Sequence, residues 1–191
     1  MAVDKEMKSF KHYITELFDK PYPTTASSAS VDSKLMVSKP VENIIPEFLD
    51  IEHRKFTLDD GRKGLVALFH YNTYKDKVER DEKIRAVEIH FATSTSKNYK
   101  STEVDGVNMT DVTTGEGDAM RIFSTVVESG KKFIKKTKPD EVRIYAKRTD
   151  KKKEKIYGIL AKKFAGSVGY KYIKKVTVSG RYYVGHILEK K

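Results

Sequence analysis

Thr113–Lys136 reads TTGEGDAMRIFSTVVESGKKFIKK, a glycine turn that opens into a long amphipathic helix. Gly115-Glu116-Gly117 supplies the turn. Asp118 is suited to cap the helix, because a short side-chain oxygen accepts from the unpaired N–H groups of a first turn. Apolar residues recur at Ala119, Ile122, Phe123, Val126, Val127, Phe133 and Ile134, which is helical spacing with one buried stripe. Lys138-Pro139 ends the helix, since a residue before proline avoids the helical region. The next residues alternate, with Val142, Ile144 and Ala146 on one face and Arg143, Tyr145 and Lys147 on the other. The expected frame is a long helix lying on a sheet.

Upstream, residues 51–58 and 63–71 flank Asp59-Asp60-Gly61-Arg62, the composition of a hairpin turn. Residues 84–93 form a third strand, with Ile84, Ala86, Glu88 and His90 on one face and Val87, Ile89 and Phe91 on the other. The charged stretches 74–83 and 94–111 read as loops. Downstream, Ile156, Tyr157, Ile159, Leu160 and Phe164 make a second amphipathic helix, with Asp150 to cap it and Gly166 to end it. Tyr170–Val178 and Tyr182–Leu188 around Ser179-Gly180-Arg181 read as a terminal hairpin. The order predicts an α+β (α/β-like) domain, a mixed sheet flanked by helices.

At the start, Met7, Phe10, Tyr13, Ile14, Leu17 and Phe18 share one helical stripe, closed by Pro21-Tyr22-Pro23. Thr24 to Ser33 is small and polar, the composition of a linker. The expected division is a separate N-terminal amphipathic helix over 1–23, a linker over 24–45 and the domain over 46–191. That helix docks on the body, on another copy or on a partner.

Charge is unevenly placed. Residues 121–191 hold 21 Lys and Arg against 6 Asp and Glu, net +15, while residues 1–120 hold 17 against 21, net −4, which returns the overall +11. Such a basic half suits nucleic acid, an anionic surface or an acidic partner, with a solvated lysine surface as the plain alternative. Candidate contacts are Lys151, Lys152, Lys153, Lys155, Lys174, Lys175 and Arg181. Tyrosines of the last hairpin are able to stack single-stranded bases, or simply alternate on a sheet. No run reaches the roughly 18 apolar residues of a membrane span. There is no cysteine, and the five histidines form no close pair with ligand spacing, so neither disulfide nor metal is expected.

Three antiparallel strands, a glycine turn, a helix, a strand, a tyrosine-bearing helix and a last strand resemble the order of the GNAT acetyltransferases over roughly residues 50–191. In that family the loop before the central helix carries R/Q-x-x-G-x-G/A and holds the acyl-CoA pyrophosphate. The resemblance implies Gly115, Gly117 and Asp118 as the cofactor-binding positions. Val112 stands where the family has Arg or Gln, and Glu116 and Asp118 put carboxylates where phosphates sit. Tyr157 falls at the family's general-acid tyrosine, and Glu88 or His90 is placed to act as base.

MKSFKHYITE resembles the capsid-targeting segment of internal head proteins of T-even-type bacteriophages, through Met7, Lys8, Ser9, Phe10, Tyr13, Ile14 and Glu16. Ser9 replaces a threonine, and Leu17 follows the glutamate where a small residue is usual. Ile14 to Asp19, the central helix, the strand after it, the second helix and the Tyr182–Ile187 strand are also similar to the N-terminal, non-catalytic domain of the head-packaged ADP-ribosyltransferases of such phages. An ADP-ribosyltransferase triad is also legible in Arg85, Ser94-Thr95-Ser96 and Glu116-Gly117-Asp118, with spacing too compressed for that chemistry.

Together these imply a phage accessory protein, head-associated or injected, found in the virion or the host cytoplasm. Its GNAT-like domain would contact a head or other virion protein, DNA or an acidic host protein without catalysis, cofactor or membrane. The alternatives are an active acetyl-CoA-dependent N-acetyltransferase and a nucleic-acid-binding module.

Overall fold

The computed structural model describes residues 20–28, 47–74, 82–93, 103–104, 107–108, 119–147, 151–178 and 183–191. The elements are β1 (Thr25–Ser28), β2 (Glu47–Thr57), β3 (Lys63–Tyr74), β4 (Lys83–Thr93), β5 (Glu103–Val104), β6 (Val107–Asn108), α1 (Ala119–Thr137), β7 (Glu141–Lys147), α2 (Lys151–Val168), β8 (Tyr170–Val178) and β9 (Tyr183–Lys190). Seven strands form one mixed sheet in the order β1-β2-β3-β4-β7-β9-β8, and β5 and β6 pair separately. All pairings are antiparallel except β4 with β7, the two strands that α1 connects. This is a sheet-dominated α+β architecture.

Both helices lie on one face of the sheet. Ile122, Val126, Phe133 and Ile134 of α1 and Phe164 and Ala165 of α2 share a core with Val66, Leu68, Val87, Ile89, Val142 and Leu188. The expected apolar stripe of α1 is the face that is buried there. The opposite sheet face carries a second cluster of Leu65, Ala67, Phe69, Tyr71 and Ala86. The two clusters take alternate residues of β3, the period of two that a strand buried on both faces requires.

The Asp59–Arg62 turn is present: Gly61 N–H donates to Leu58 O and Leu58 N–H to Arg62 O, both at 2.9 Å, with Gly61 at φ 83°. Three sequence expectations change. Thr25–Ser28, inside the stretch read as a linker, is the edge strand β1 on β2. An edge strand is held by backbone pairing and needs no apolar side chains, so a polar composition hides it. Next to it Tyr22 is buried: its N–H donates to Thr125 Oγ1 at 2.8 Å, and its ring stacks on Phe56 at 5.6 Å. The loop read over 94–111 contains the short β5–β6 hairpin. Gly166 does not end α2; the helix runs to Val168 and stops at Gly169, whose φ is +77°. Gly166 is exposed and a side chain there meets nothing, so nothing compels the helix to stop.

α1 ends as expected before Pro139, by a left-handed cap. Lys138 has φ 47°, and its N–H donates to Ile134 O at 2.8 Å, the single bond of that motif. Lysine is strained in this conformation and glycine is not. Lys138→Gly is therefore expected to stabilise the protein by about 1 kcal/mol, read as a higher urea midpoint at unchanged slope.

The sequence readings for Met7, Phe10, Tyr13, Ile14 and Glu16, for Gly115, Gly117 and Asp118, for Asp150 and for Arg181 lie outside the described residues.

Candidate functional site

β4 and β7 frame the candidate site, because a parallel pair joined by a helix crossover ends in a crevice at its carboxyl edge. Their ladder covers only Ala86–Ile89 against Glu141–Ile144. Beyond it β4 runs on to Thr93 and β7 to Lys147. α1 starts at the same end: Phe123 meets Phe91 edge-on at 5.5 Å.

The side chains of this pair that face away from the helices build a buried polar chain. Glu88 is 0% exposed and lies opposite Arg143 in the ladder. Tyr71 of β3 donates its hydroxyl to Glu88 Oε2 at 3.0 Å. Glu88 Oε1 and His90 Nε2 share a short hydrogen bond. Arg143 donates Nε to Glu141 Oε1 in a short ion pair and points Nη1 at the Tyr71 hydroxyl, 3.5 Å away. Phe69 closes the end of the chain, edge-on to the His90 ring at 5.7 Å. Donation runs from Arg143 to Glu141 and Tyr71 and from Tyr71 to Glu88.

One guanidinium thus faces two carboxylates within a buried layer, where charge needs a partner to be tolerable. Chemically the arrangement holds Glu88 as an acceptor with both oxygens engaged, and it ties three strands into one register. Strand spacing explains the intrastrand pairs, since Glu88/His90 and Glu141/Arg143 are each two residues apart and share a face.

Of the predicted site residues, the structure brings Glu88 and His90 together. Tyr157 lies on α2, on the other side of the sheet from the Glu88 carboxylate, and its side chain is outside the described set. His70 does not join His90. It faces the helices beside Val87 and Asp50 in register. Burial and then the Arg85 charge push its pKa below the usual imidazole value, against the pull of Asp50 and Asp140. Sequence reasoning missed Tyr71, Glu141 and Arg143; the only signal was the i, i+2 spacing of the last two.

At the opposite end of the ladder, an open polar cleft of about 370 Å³ is lined by Glu82, Lys83, Ile84, Asp140, Glu141, Glu189 and Lys190. Asp140 knits this end: its N–H donates to Arg85 O at 2.8 Å, and its carboxylate accepts Arg85 N–H at 2.9 Å. Tyr170 donates to Pro139 O at 2.5 Å, and burial with the Asp140 charge pushes its pKa up to about 12.

Among the described residues, no group of three or more His, Asp or Glu is arranged to hold a metal, and no helix is long and apolar enough to cross a membrane. Lys151, Lys152, Lys153 and Lys155 fall at the start of α2, and Lys174 and Lys175 on β8. The helix packs on that strand, and the side chains of these six lysines lie outside the described residues. The chain matches no protein-family model, no curated protein and no solved structure.

Proposed function

We propose that the chain is a GNAT-like domain that acts by binding, as a phage accessory protein carried with the head or injected, and not by acyl transfer. The carrying observation is the state of Glu88. The carboxylate at the base position is fully buried, and both of its oxygens are engaged by Tyr71 and His90. A general base must reach a substrate proton. The helix bearing the candidate acid, Tyr157, is on the far side of the sheet.

Acetyl-CoA does not fit these residues well. Glu88 is sequestered in the sheet, and Glu116 and Asp118 bring negative charge to the turn where the pyrophosphate would rest. Fold and chemistry are separable, and a scaffold persists without the reaction. On this reading the N-terminal segment addresses the protein to a head or other virion protein, and the basic half meets DNA or an acidic host protein.

The transferase reading has one observation in its favour, the early end of the β4–β7 ladder beside the start of α1. The two readings part on cargo and address. Deleting residues 7–19, which spares the Tyr22 anchor, is expected to lower incorporation into phage heads at least tenfold. Unchanged incorporation contradicts the addressing role.

A further inference from the structure

α1 ends in a run of lysines that its own fold does not use. Residues 128–138 hold five lysines against one glutamate, net +4. The helix dipole accounts for Lys135 and Lys136, which lie in the last turn. It does not account for Lys132, which precedes that turn, or for Lys138, which lies beyond the helix end. The carboxylates nearby are already engaged: Glu128 by Lys131 at 2.7 Å, Asp50 by Lys136 at 2.7 Å and Asp140 by Arg85 at 3.4 Å. Lys132, Lys135 and Lys138 are exposed, and among the described residues none of the three has an acidic partner.

These three stand three residues apart, a spacing that makes one ridge across the outward side of a helix. At about 1.5 Å of rise per residue the ridge spans about 9 Å. Over that axial length one strand of duplex DNA carries about three phosphates. The apolar residues of the segment, Phe133 and Ile134, are turned into the core. Lys138 supplies an independent observation. It holds the left-handed conformation, φ 47°, where glycine would be more stable. Its side chain is exposed, so no packing in the described fold offsets that strain. Strain kept at a surface cation points to what that cation contacts.

We infer that the ridge of Lys132, Lys135 and Lys138 at the end of α1 is a contact for the phosphate backbone of double-stranded DNA. The inference rests on the binding role proposed above and commits its basic surface to one partner and one place. Nucleic acid is favoured over an acidic protein because the ridge has no apolar anchor, whereas the core of a protein interface is apolar and poor in lysine. A duplex is favoured over a single strand because the segment offers no ring to stack a base: Phe133, its aromatic residue, is 0% exposed. Lysines meet phosphates as point charges, so the contact is independent of sequence.

The test uses the full chain and a short dye-labelled duplex of mixed sequence, read by fluorescence anisotropy across a salt series. Binding should weaken steeply as salt rises. Lys132→Gln, Lys135→Gln and Lys138→Gly should each lower the log–log salt slope by about 1, and the three together should weaken binding about tenfold at physiological salt. Lys63→Gln removes the same charge from the start of β3 and should leave both unchanged. Lys138→Gly separates the contact from a structural role, because it should raise the urea midpoint while weakening the duplex. A lysine with only a structural role would move the first and not the second. No binding, salt-independent binding, or ridge variants that bind as the parent does overturn the inference. So does tighter binding of a single strand, or of a polyglutamate peptide, of equal charge. Failure with the duplex leaves the proposed role to head incorporation and the acetyl-CoA titration, whereas a response to acetyl-CoA overturns that role without touching the ridge.

Discussion

Arg143→Ala is expected to destabilise the protein by about 3–5 kcal/mol, measured by urea unfolding near pH 7. Arg143 is 4% exposed and holds the ion pair to Glu141 through Nε. Its removal leaves Glu141, 8% exposed, with a buried charge that has lost its cation. It also takes the donor away from the Tyr71 hydroxyl, and through it loosens the Tyr71–Glu88 hydrogen bond. Lysine should not restore the loss, because a point charge on a flexible stem cannot serve Glu141 and Tyr71 in one fixed fork. Replacing both partners, Arg143→Met with Glu141→Gln, should cost less than the alanine variant alone, since Glu141 is then not left as an unpaired charge. A loss below about 1 kcal/mol for Arg143→Ala is the behaviour of a solvated surface pair and contradicts the buried-chain description.

Gly64→Ala is expected to cost about 3 kcal/mol on the same assay. Gly64 lies directly opposite Phe56 in the β2–β3 ladder, and the phenyl ring covers it. A Cβ at residue 64 falls 2.1 Å from Phe56 Cζ, so the ring must leave its place. Phe56 is 3% exposed and stacked on Tyr22, over which Arg121 lies at 3.9 Å. Displacing the ring loses its burial, about 1.5–3 kcal/mol, and opens the anchor of the Lys20–Ser28 stretch as well. The signature of this mechanism is coupling: in a Phe56→Leu background the added methyl has less to displace, so the two substitutions together should cost clearly less than their sum.

The elements with periodic apolar residues were legible in the chain. α1 follows from its i, i+3, i+4 stripe, and Ile122, Val126, Phe133 and Ile134 are all buried. The β2–β3 hairpin follows from Asp59-Asp60-Gly61, because that turn needs a positive φ. β4 follows from alternation, and even its two faces are assigned correctly. β1 was hidden because its pairing is made by the backbone, to which side-chain composition is nearly blind. The end of α2 was misplaced because glycine tolerates a helix interior, and only Gly169 takes the left-handed conformation that stops one.

The polar chain was half legible. Glu88 and His90 announce themselves by spacing on one strand. Tyr71 and Arg143 reach Glu88 only because β3 and β7 flank β4 in a particular register, which is a long-range property. Single-strand patterns carry no information about it. The same limit applies to Ile159, which reads in sequence as part of the apolar stripe of α2 and which the structure leaves exposed.

The measurement that bears most directly on the proposed role is thermal unfolding of the full chain with and without millimolar acetyl-CoA. A ligand bound only by the folded state adds stability by mass action, about 2.7 kcal/mol at a hundredfold excess over its dissociation constant. A domain that works by binding a macromolecular partner predicts an unchanged midpoint. A clear concentration-dependent rise contradicts it and returns Glu88, His90 and Tyr157 to the roles of a transferase site.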